Sequence, residues 1–354
     1  MKKALIAMSG GVDSSVTALR MQEAGWECRG ITMRLFCGAG ETCGSSADVR
    51  DAAAAAEKLG IPHEVVDYSE AFRDEVMTPF AAAYERGETP NPCIRCNRTM
   101  KFSRLYDEAE KRGCDAVATG HYARVVWDEA TGKWKLKKAR NLAKDQTYVL
   151  YFLTQEQLAH TCFPLGEEPD KEAVRAAAEE GGLLNARKHD SQDICFVPDG
   201  DYAGFIRRHT GKDYLPGAFV TPEGTVLGEH KGIIHYTVGQ RRGLGLSLPA
   251  PLYVKEKRVA ENQVVLVPEE ELYAASLTAE DFSWVSGEIP QAPFRAWART
   301  RYSAKEAPAQ IVPLSDTSVR ISFDTPQRAI TPGQAVVLYD GDEVLGGGTI
   351  RKSK

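Results

Sequence analysis

Two hydrophobic rhythms share the first half of the chain. Short apolar runs at Ala4 to Met8, Arg29 to Leu35, His63 to Asp67 and Ala116 to Thr119 have the length and bounded ends of strands. Segments with helical spacing lie between them, at Val16 to Ala24, Ala47 to Leu59, Glu70 to Arg86 and Phe102 to Arg112. Gly60 and Pro62 close the second of these. The alternation predicts an α/β fold, a mostly parallel doubly wound sheet with helices on both faces. Such sheets bind ligands beyond the carboxyl ends of their strands. Ser9 to Ser15 and Thr119-Gly120-His121 fall at such ends. After about Asp199 the helical period fades and turns multiply, as at Pro198-Asp199-Gly200 and Pro222-Glu223-Gly224. From about Ala275 short strand-like runs dominate, among them Val319 to Phe323 and Ala335 to Tyr339, with Asp340-Gly341-Asp342 as a hairpin turn. The pattern predicts three units: 1–199, a connector of mixed structure at 200–275, and a small C-terminal β-barrel at 276–354.

The first strand runs into Ser9-Gly10-Gly11-Val12-Asp13-Ser14-Ser15 and then a helix. Strand, glycine turn and helix place backbone N–H groups and a helix N-terminus around phosphates. Gly10 and Gly11 permit a tight backbone and close ligand approach. Ser9, Ser14 and Ser15 add hydroxyls, and Asp13 is suited to a magnesium ion that in turn holds phosphate. No Gly-Lys-Ser/Thr follows, which excludes the common nucleoside triphosphatase loop. An ordinary turn with serine caps would explain a lone Gly-Gly pair. The full string instead resembles the pyrophosphate loop of the ATP pyrophosphatase superfamily, whose members split ATP into AMP and pyrophosphate.

Composition narrows the partners. The chain has 354 residues, 43% of them hydrophobic, and a formal net charge of -5. That balance excludes coating of nucleic acid by bulk charge and leaves room for a local basic groove. No run approaches the about 18 apolar residues of a membrane helix. The apolar stretch after Met1-Lys2-Lys3 ends too soon in the glycine loop to be a secretory signal. A cytoplasmic enzyme is expected. Eight scattered cysteines without an export signal argue for reactive or metal-binding thiols rather than a disulfide framework.

Two cysteine segments carry candidate chemistry. Thr89-Pro90-Asn91-Pro92-Cys93-Ile94-Arg95-Cys96-Asn97-Arg98 reads as a stiff, proline-bearing loop, with Arg95 and Arg98 favouring thiolate. His189-Asp190-Ser191-Gln192-Asp193-Ile194-Cys195-Phe196 places another cysteine after a polar run. A zinc knuckle would want a second Cys-x-x-Cys. A thioredoxin-type redox pair would want the motif at a helix start in a smaller fold. Sulfur transfer needs one thiol to carry a persulfide and another to resolve it. Cys28, Cys114 and Cys162 read as packing residues, and Cys37 and Cys43 lie in a loop that could cover a nucleotide.

With these segments placed, and with Thr119-Gly120-His121-Tyr122, Lys144-Asp145-Gln146-Thr147-Tyr148, Gly239-Gln240-Arg241-Arg242-Gly243-Leu244-Gly245, Arg301-Tyr302 and Thr331-Pro332-Gly333-Gln334, the chain resembles nearly end to end the bacterial tRNA-specific 2-thiouridylases of the MnmA type. The resemblance implies an adenine nucleotide alpha hydrolase-like first domain, a small central domain and a C-terminal barrel. It implies ATP-dependent replacement of the C2 oxygen of the tRNA wobble uridine by sulfur, with tRNA and a persulfide-relay protein as partners. ATP contacts then fall on Ala7, Met8, Ser9, Gly10, Gly11, Val12, Asp13, Ser14, Met33 and Gly120. Cys195 matches the persulfide acceptor and Cys96 its partner nucleophile. Asn91, Pro92, Cys93, His121, Lys144, Asp145, Gln146, Arg301, Tyr302 and Gln334 match tRNA-contacting positions. Arg241, Arg242 and Arg299 are further phosphate contacts. Many members carry Asp where this chain has Cys93, so that residue's role does not transfer. Cys93, Cys96 and Cys195 instead make a three-thiolate set that could hold an iron–sulfur cluster, the alternative to the persulfide route. Two rival functions are an amidotransferase-type synthetase sharing the pyrophosphate loop and a non-catalytic, metal-bearing RNA-binding module.

Overall fold

The computed structural model describes residues 1–36, 45–188, 194–247 and 250–353. Cys37, Cys43 and the polar run 189–193 lie outside the described residues. Five parallel strands form the first sheet, in the order His63–Asp67, Glu27–Arg34, Lys3–Ala7, Ala116–Ala118, Thr161–Cys162. The central Lys3–Ala7 strand explains why its sequence is apolar without alternation, since both its faces are covered. Ala4 and Ile6 meet Val12, Val16, Ala52 and Ala177 from helices Val12–Glu23, Ser46–Leu59 and Lys171–Glu180. Leu5 points the other way, to Leu105 and Ala109. The doubly wound expectation holds.

Helix ends follow local chemistry. Ser45 caps Ser46–Leu59 in a reciprocal box with Asp48, and Gly60 ends it in the left-handed region at φ 66°. The structure corrects one sequence expectation that bears on function. The Cys-x-x-Cys segment is no loop: Asn91 caps a helix through the Cys93 N–H, Pro92 takes the first helical position, and helical structure continues to a kink at Phe102 and beyond it to Lys111. Its middle, Asn97–Arg104, is π-helical. A helix start was the mark assigned to a thioredoxin-type pair, so that criterion does not separate the readings. The surrounding fold does.

The middle of the chain holds a four-stranded sheet, Tyr253–Arg258, Gln263–Val267, Gly217–Val220 and Val226–His230 in spatial order. It also holds a helix, Tyr202–Thr210, within the stretch read as a connector of mixed structure. Its signals were terminal: Asp201 accepts from the Gly204 N–H, and Gly211 closes it at φ 68°.

Six antiparallel strands, Tyr273–Trp284, Phe294–Arg299, Ala307–Ser315, Ser318–Arg328, Ala335–Asp340 and Glu343–Ser353, close into a barrel when the first pairs with the last. Closure removes exposed strand edges. Gly341, at φ 60°, makes the expected turn. A hairpin of Ala123–Asp128 and Lys133–Lys138 crosses from the first unit to extend the barrel sheet at Glu343.

Barrel and first unit also meet at Thr89. Its N–H donates to the Pro332 carbonyl at 2.9 Å, and its carbonyl accepts from Gln334 Nε2 at 2.7 Å. The central sheet joins there through Lys257 Nζ, 2.9 Å from the Tyr236 carbonyl and 3.5 Å from that of Glu88.

Candidate active site

Beyond the carboxyl ends of the first strands lies a cavity of about 330 Å³. Ala7, Met8, Ser9, Asp13, Ser14, Met33 and Gly120 line it, all predicted nucleotide contacts. Gly10, Gly11 and Val12 shape the loop from behind. Gly10 has φ +77°, and a Cβ there would stand 2.3 Å from the Asp48 carbonyl oxygen, so only glycine fits. Gly11 is the N-cap of helix Val12–Glu23 and gives it no side-chain cap, leaving the helix N-terminus for a ligand. Val12 is buried in the core.

Hydroxyl roles divide. Ser14 Oγ donates to the Gly11 carbonyl at 2.9 Å and accepts from the Ser9 N–H at 3.1 Å, which fixes the loop while both serines face the cavity. Ser15 is fully buried, accepts from Asn185 Nδ2 at 2.9 Å and donates to Gly11. It belongs to the scaffold, not to the ligand, because helix geometry turns it away.

Asp13 also departs from expectation. Lys171 Nζ lies 2.8 and 2.9 Å from its two oxygens, and the Tyr122 hydroxyl donates to Oδ1 at 2.8 Å. With its carboxylate so engaged, Asp13 does not offer a metal a ready ligand. Among the described residues no three His, Cys, Asp or Glu side chains group to hold a metal ion. Neither a protein-held magnesium nor a cluster on Cys93, Cys96 and Cys195 fits this arrangement.

His121 and Gln146, expected at the RNA, line this same cavity. His121 is buried, its Nδ1 2.6 Å from Thr119 Oγ1, and its ring packs on Phe102 and Phe163. Burial first, and the charge of Lys101 second, lower its basicity well below the ordinary imidazole value. It is a neutral hydrogen-bonding group. Gln146 accepts from the Tyr122 N–H at 3.0 Å.

The two predicted sulfur carriers come from distant segments and meet one apolar cluster. Cys96 and Cys195 both pack, half-buried, against the core of Leu35, Phe72, Val76, Phe80 and Phe196. Phe196 is held by rings of Phe80 at 5.3 Å and Phe205 at 4.9 Å, which pins Cys195 beside it. Leu35 and Met33 are shared: they line the cavity and belong to this cluster. Leu35 and Met33 therefore link the thiol cluster to the cavity lining. Cys93 is exposed. Burial raises the Tyr302 phenol above its ordinary value, and Cys93 is close enough to push it the same way. Pro92 is buried at the helix start, and Asn91 is spent on the cap.

Other residues predicted as RNA contacts make hydrogen bonds inside the protein. The Asp145 carboxylate is buried and accepts from the Ala139 N–H at 3.0 Å and Thr147 Oγ1 at 2.6 Å, so it shapes the turn that presents Lys144 and Gln146. Arg301 Nη2 donates to the carbonyls of Val238 at 2.9 Å and Ala329 at 3.0 Å, and to Thr331, clamping the central unit to the barrel. Gln334 is the Thr89 strap. Tyr302 keeps 44% of its surface exposed, with the Arg299 guanidinium 5.4 Å from its ring. Arg241 and Arg242 are exposed, and Arg241 borders a separate cavity of about 430 Å³.

Sequence reasoning missed Lys101 and Lys171 and gave Tyr122 no role. Lys101 fell in the gap between the presumed loop and a helix expected to start at Phe102. Lys171 has no signal beyond being a lysine after the Asp170 cap.

Three family models match the chain: a tRNA methyl transferase HUP domain over residues 2–199, a tRNA methyl transferase PRC-barrel domain over 203–268, and an aminomethyltransferase beta-barrel domain over 274–350. The tRNA-specific 2-thiouridylase MnmA of Acetivibrio thermocellus is 49% identical over 99% of this chain and 99% of its own length. That of Clostridioides difficile is 46% identical at the same coverage. A solved U34-tRNA thiolase, NcsA from Methanococcus maripaludis, covers 59% of this chain and 72% of its own at 19% identity and a TM-score of 0.36, too loose to carry an argument.

Proposed function

The chain belongs to the tRNA-specific 2-thiouridylase family, and from that premise we propose that it thiolates C2 of a tRNA wobble uridine through an adenylated intermediate and a cysteine persulfide. One observation carries the mechanism: Cys96 and Cys195 pack on the same cluster whose Leu35 and Met33 wall the nucleotide cavity. A uracil carbonyl oxygen leaves poorly. Attack of that oxygen on the ATP α-phosphate turns it into a phosphate ester, and pyrophosphate departs toward the Ser9–Ser14 loop and the helix N-terminus, whose fixed dipoles meet the developing charge. A magnesium ion carried in with the triphosphate substrate would supply further charge neutralisation.

The uridine must leave the anticodon stack, which is cheap in a single-stranded loop. Neutral His121 and Gln146 hydrogen-bond without adding charge. Tyr302, flanked by Arg299, offers a stacking face. The outer sulfur of a Cys195 persulfide attacks C2, and AMP leaves with the C2–O electron pair. The Cys96 thiolate then attacks Cys195 Sγ, forming a Cys96–Cys195 disulfide and releasing 2-thiouridine. An external thiol reduces the Cys96–Cys195 disulfide by thiol–disulfide exchange, and a protein persulfide donor then reloads Cys195, in the cytoplasm where tRNA is processed.

The test is mass spectrometry of nucleosides from tRNA incubated with enzyme, ATP and a sulfide source, beside anaerobic metal analysis. 2-Thiouridine formed by iron-free protein supports the persulfide route. Thiolation that requires bound iron overturns it.

A further inference from the structure

We propose that Lys101 is a catalytic residue: its ammonium holds the ATP α-phosphate while the uridine oxygen displaces pyrophosphate. The inference deepens the adenylation reading above and rests on it.

Three observations converge. First, Lys101 lines the cavity together with Ser9, Ser14, Gly120 and His121, and its charge is felt by the His121 ring. Second, it is the cation of that lining. His121 is neutral, and Asp13 already has its own cation in Lys171, so Lys101 is left for a ligand. Among the described residues it pairs with no carboxylate. A positive charge turned into a polar cavity without an acid beside it suits an anion.

Third, the backbone aims it. Lys101 stands five positions after Cys96 on the same helix, within the π-helical Asn97–Arg104 segment. In an α-helix, at 3.6 residues per turn, position i+5 lies roughly 140° around the axis from i. A π turn closes i to i+5 and brings the two toward one side. Phe102, with φ -105° and ψ 20°, breaks the regular helix right after Lys101. The one helix thus carries both the thiol that resolves the sulfur and the cation that faces the phosphate.

The chemistry balances without a redox partner. The uridine oxygen forms a bond to the α-phosphorus as the bond to the β-phosphate bridging oxygen breaks, and that electron pair leaves with pyrophosphate. Lys101 keeps its proton throughout and stabilises the equatorial oxygens as charge spreads over them. When sulfur attacks C2, the same ammonium receives the charge that AMP gains on leaving.

The test is rapid-quench measurement of the pyrophosphate burst from wild-type, Lys101→Met and Lys101→Arg enzyme with ATP and tRNA but no sulfide. Equilibrium ATP binding and a thermal melt accompany it. Lys101→Met should lower the burst rate by about 10²–10³-fold. ATP affinity should change less than about threefold and the melt should not move, with Lys101→Arg recovering most of the rate. A burst within threefold of wild type overturns the proposal. So does a loss of ATP affinity equal to the loss of rate, which would make Lys101 a binding residue only. If Lys101→Met melts early, the neutral, polar Lys101→Gln decides by the same criteria. Absence of a burst in the wild-type enzyme overturns the adenylation reading itself, and Lys101 with it.

Discussion

The nucleotide cradle and the thiol site share Leu35 and Met33 but are built in different ways. The cradle is made by neighbours in sequence. Strand, glycines and helix N-terminus lie within Lys3–Glu23, and the loop's serines bond to its own backbone. The thiol site is assembled from afar. Cys96 and Cys195 reach one cluster from segments about a hundred positions apart, and the strand of chain leading to Cys96 is strapped to the barrel at Thr89. The first construction carries its geometry in its own sequence. The second depends on the rest of the molecule.

Substitutions can separate the two halves. The largest effect is expected from Cys96→Ser and Cys195→Ser, each of which should abolish 2-thiouridine in digested tRNA while leaving tRNA-dependent ATP–pyrophosphate exchange intact. Loss of exchange in either variant would mean the thiols hold up the cradle, and the division would collapse. Lys171→Met comes next. It strands the Asp13 carboxylate beside a buried position and should cost about 3 kcal/mol in denaturant unfolding, with a raised KM for ATP. An unchanged KM would show that the pair does not shape the cradle.

Gln334→Leu probes the other side. It leaves the Thr89 carbonyl without its side-chain donor, for about 1–2 kcal/mol. Thiolation should fall several-fold while the pyrophosphate burst stays within twofold. Equal losses in both would show that the barrel supports the whole catalytic unit rather than the thiol helix. The smallest effect is a pH dependence. The fold keeps His121 neutral well below the ordinary imidazole value. The unfolded chain takes up a proton near pH 6.5, so folding stability should decline as pH falls below about 6.5 and stay level above it. His121→Gln should flatten that decline in urea titrations, and an identical slope in both proteins would contradict the assignment.

The same division explains what could be read from the sequence. Parallel strands announced themselves as apolar runs because both faces are buried, and the loop at Ser9–Ser15 announced itself because glycine and serine there serve local geometry. The barrel showed through its turns. By contrast, Pro90 and Pro92 suggested a loop, yet Pro92 occupies the one helical position where its missing N–H costs nothing. Asp145, Arg301 and Gln334 looked like RNA contacts. The structure commits them to carbonyls and N–H groups that lie up to 245 positions away, a pairing no local pattern encodes. Lys171 opposite Asp13 is legible only once the helix Lys171–Glu180 is docked.

The closure of the barrel has a consequence for how the protein is born. Its first strand, Tyr273–Trp284, waits for its last, Glu343–Ser353, as a ribosome delivers the chain from the N-terminus. The first, doubly wound unit can condense early, since its own strands are complete by Cys162. Pro332 and Gln334, which fasten Thr89, emerge near the end of translation. A nascent chain would therefore acquire its nucleotide pocket well before its sulfur-handling helix is tied down, so a truncated product is expected to grip ATP without completing the modification.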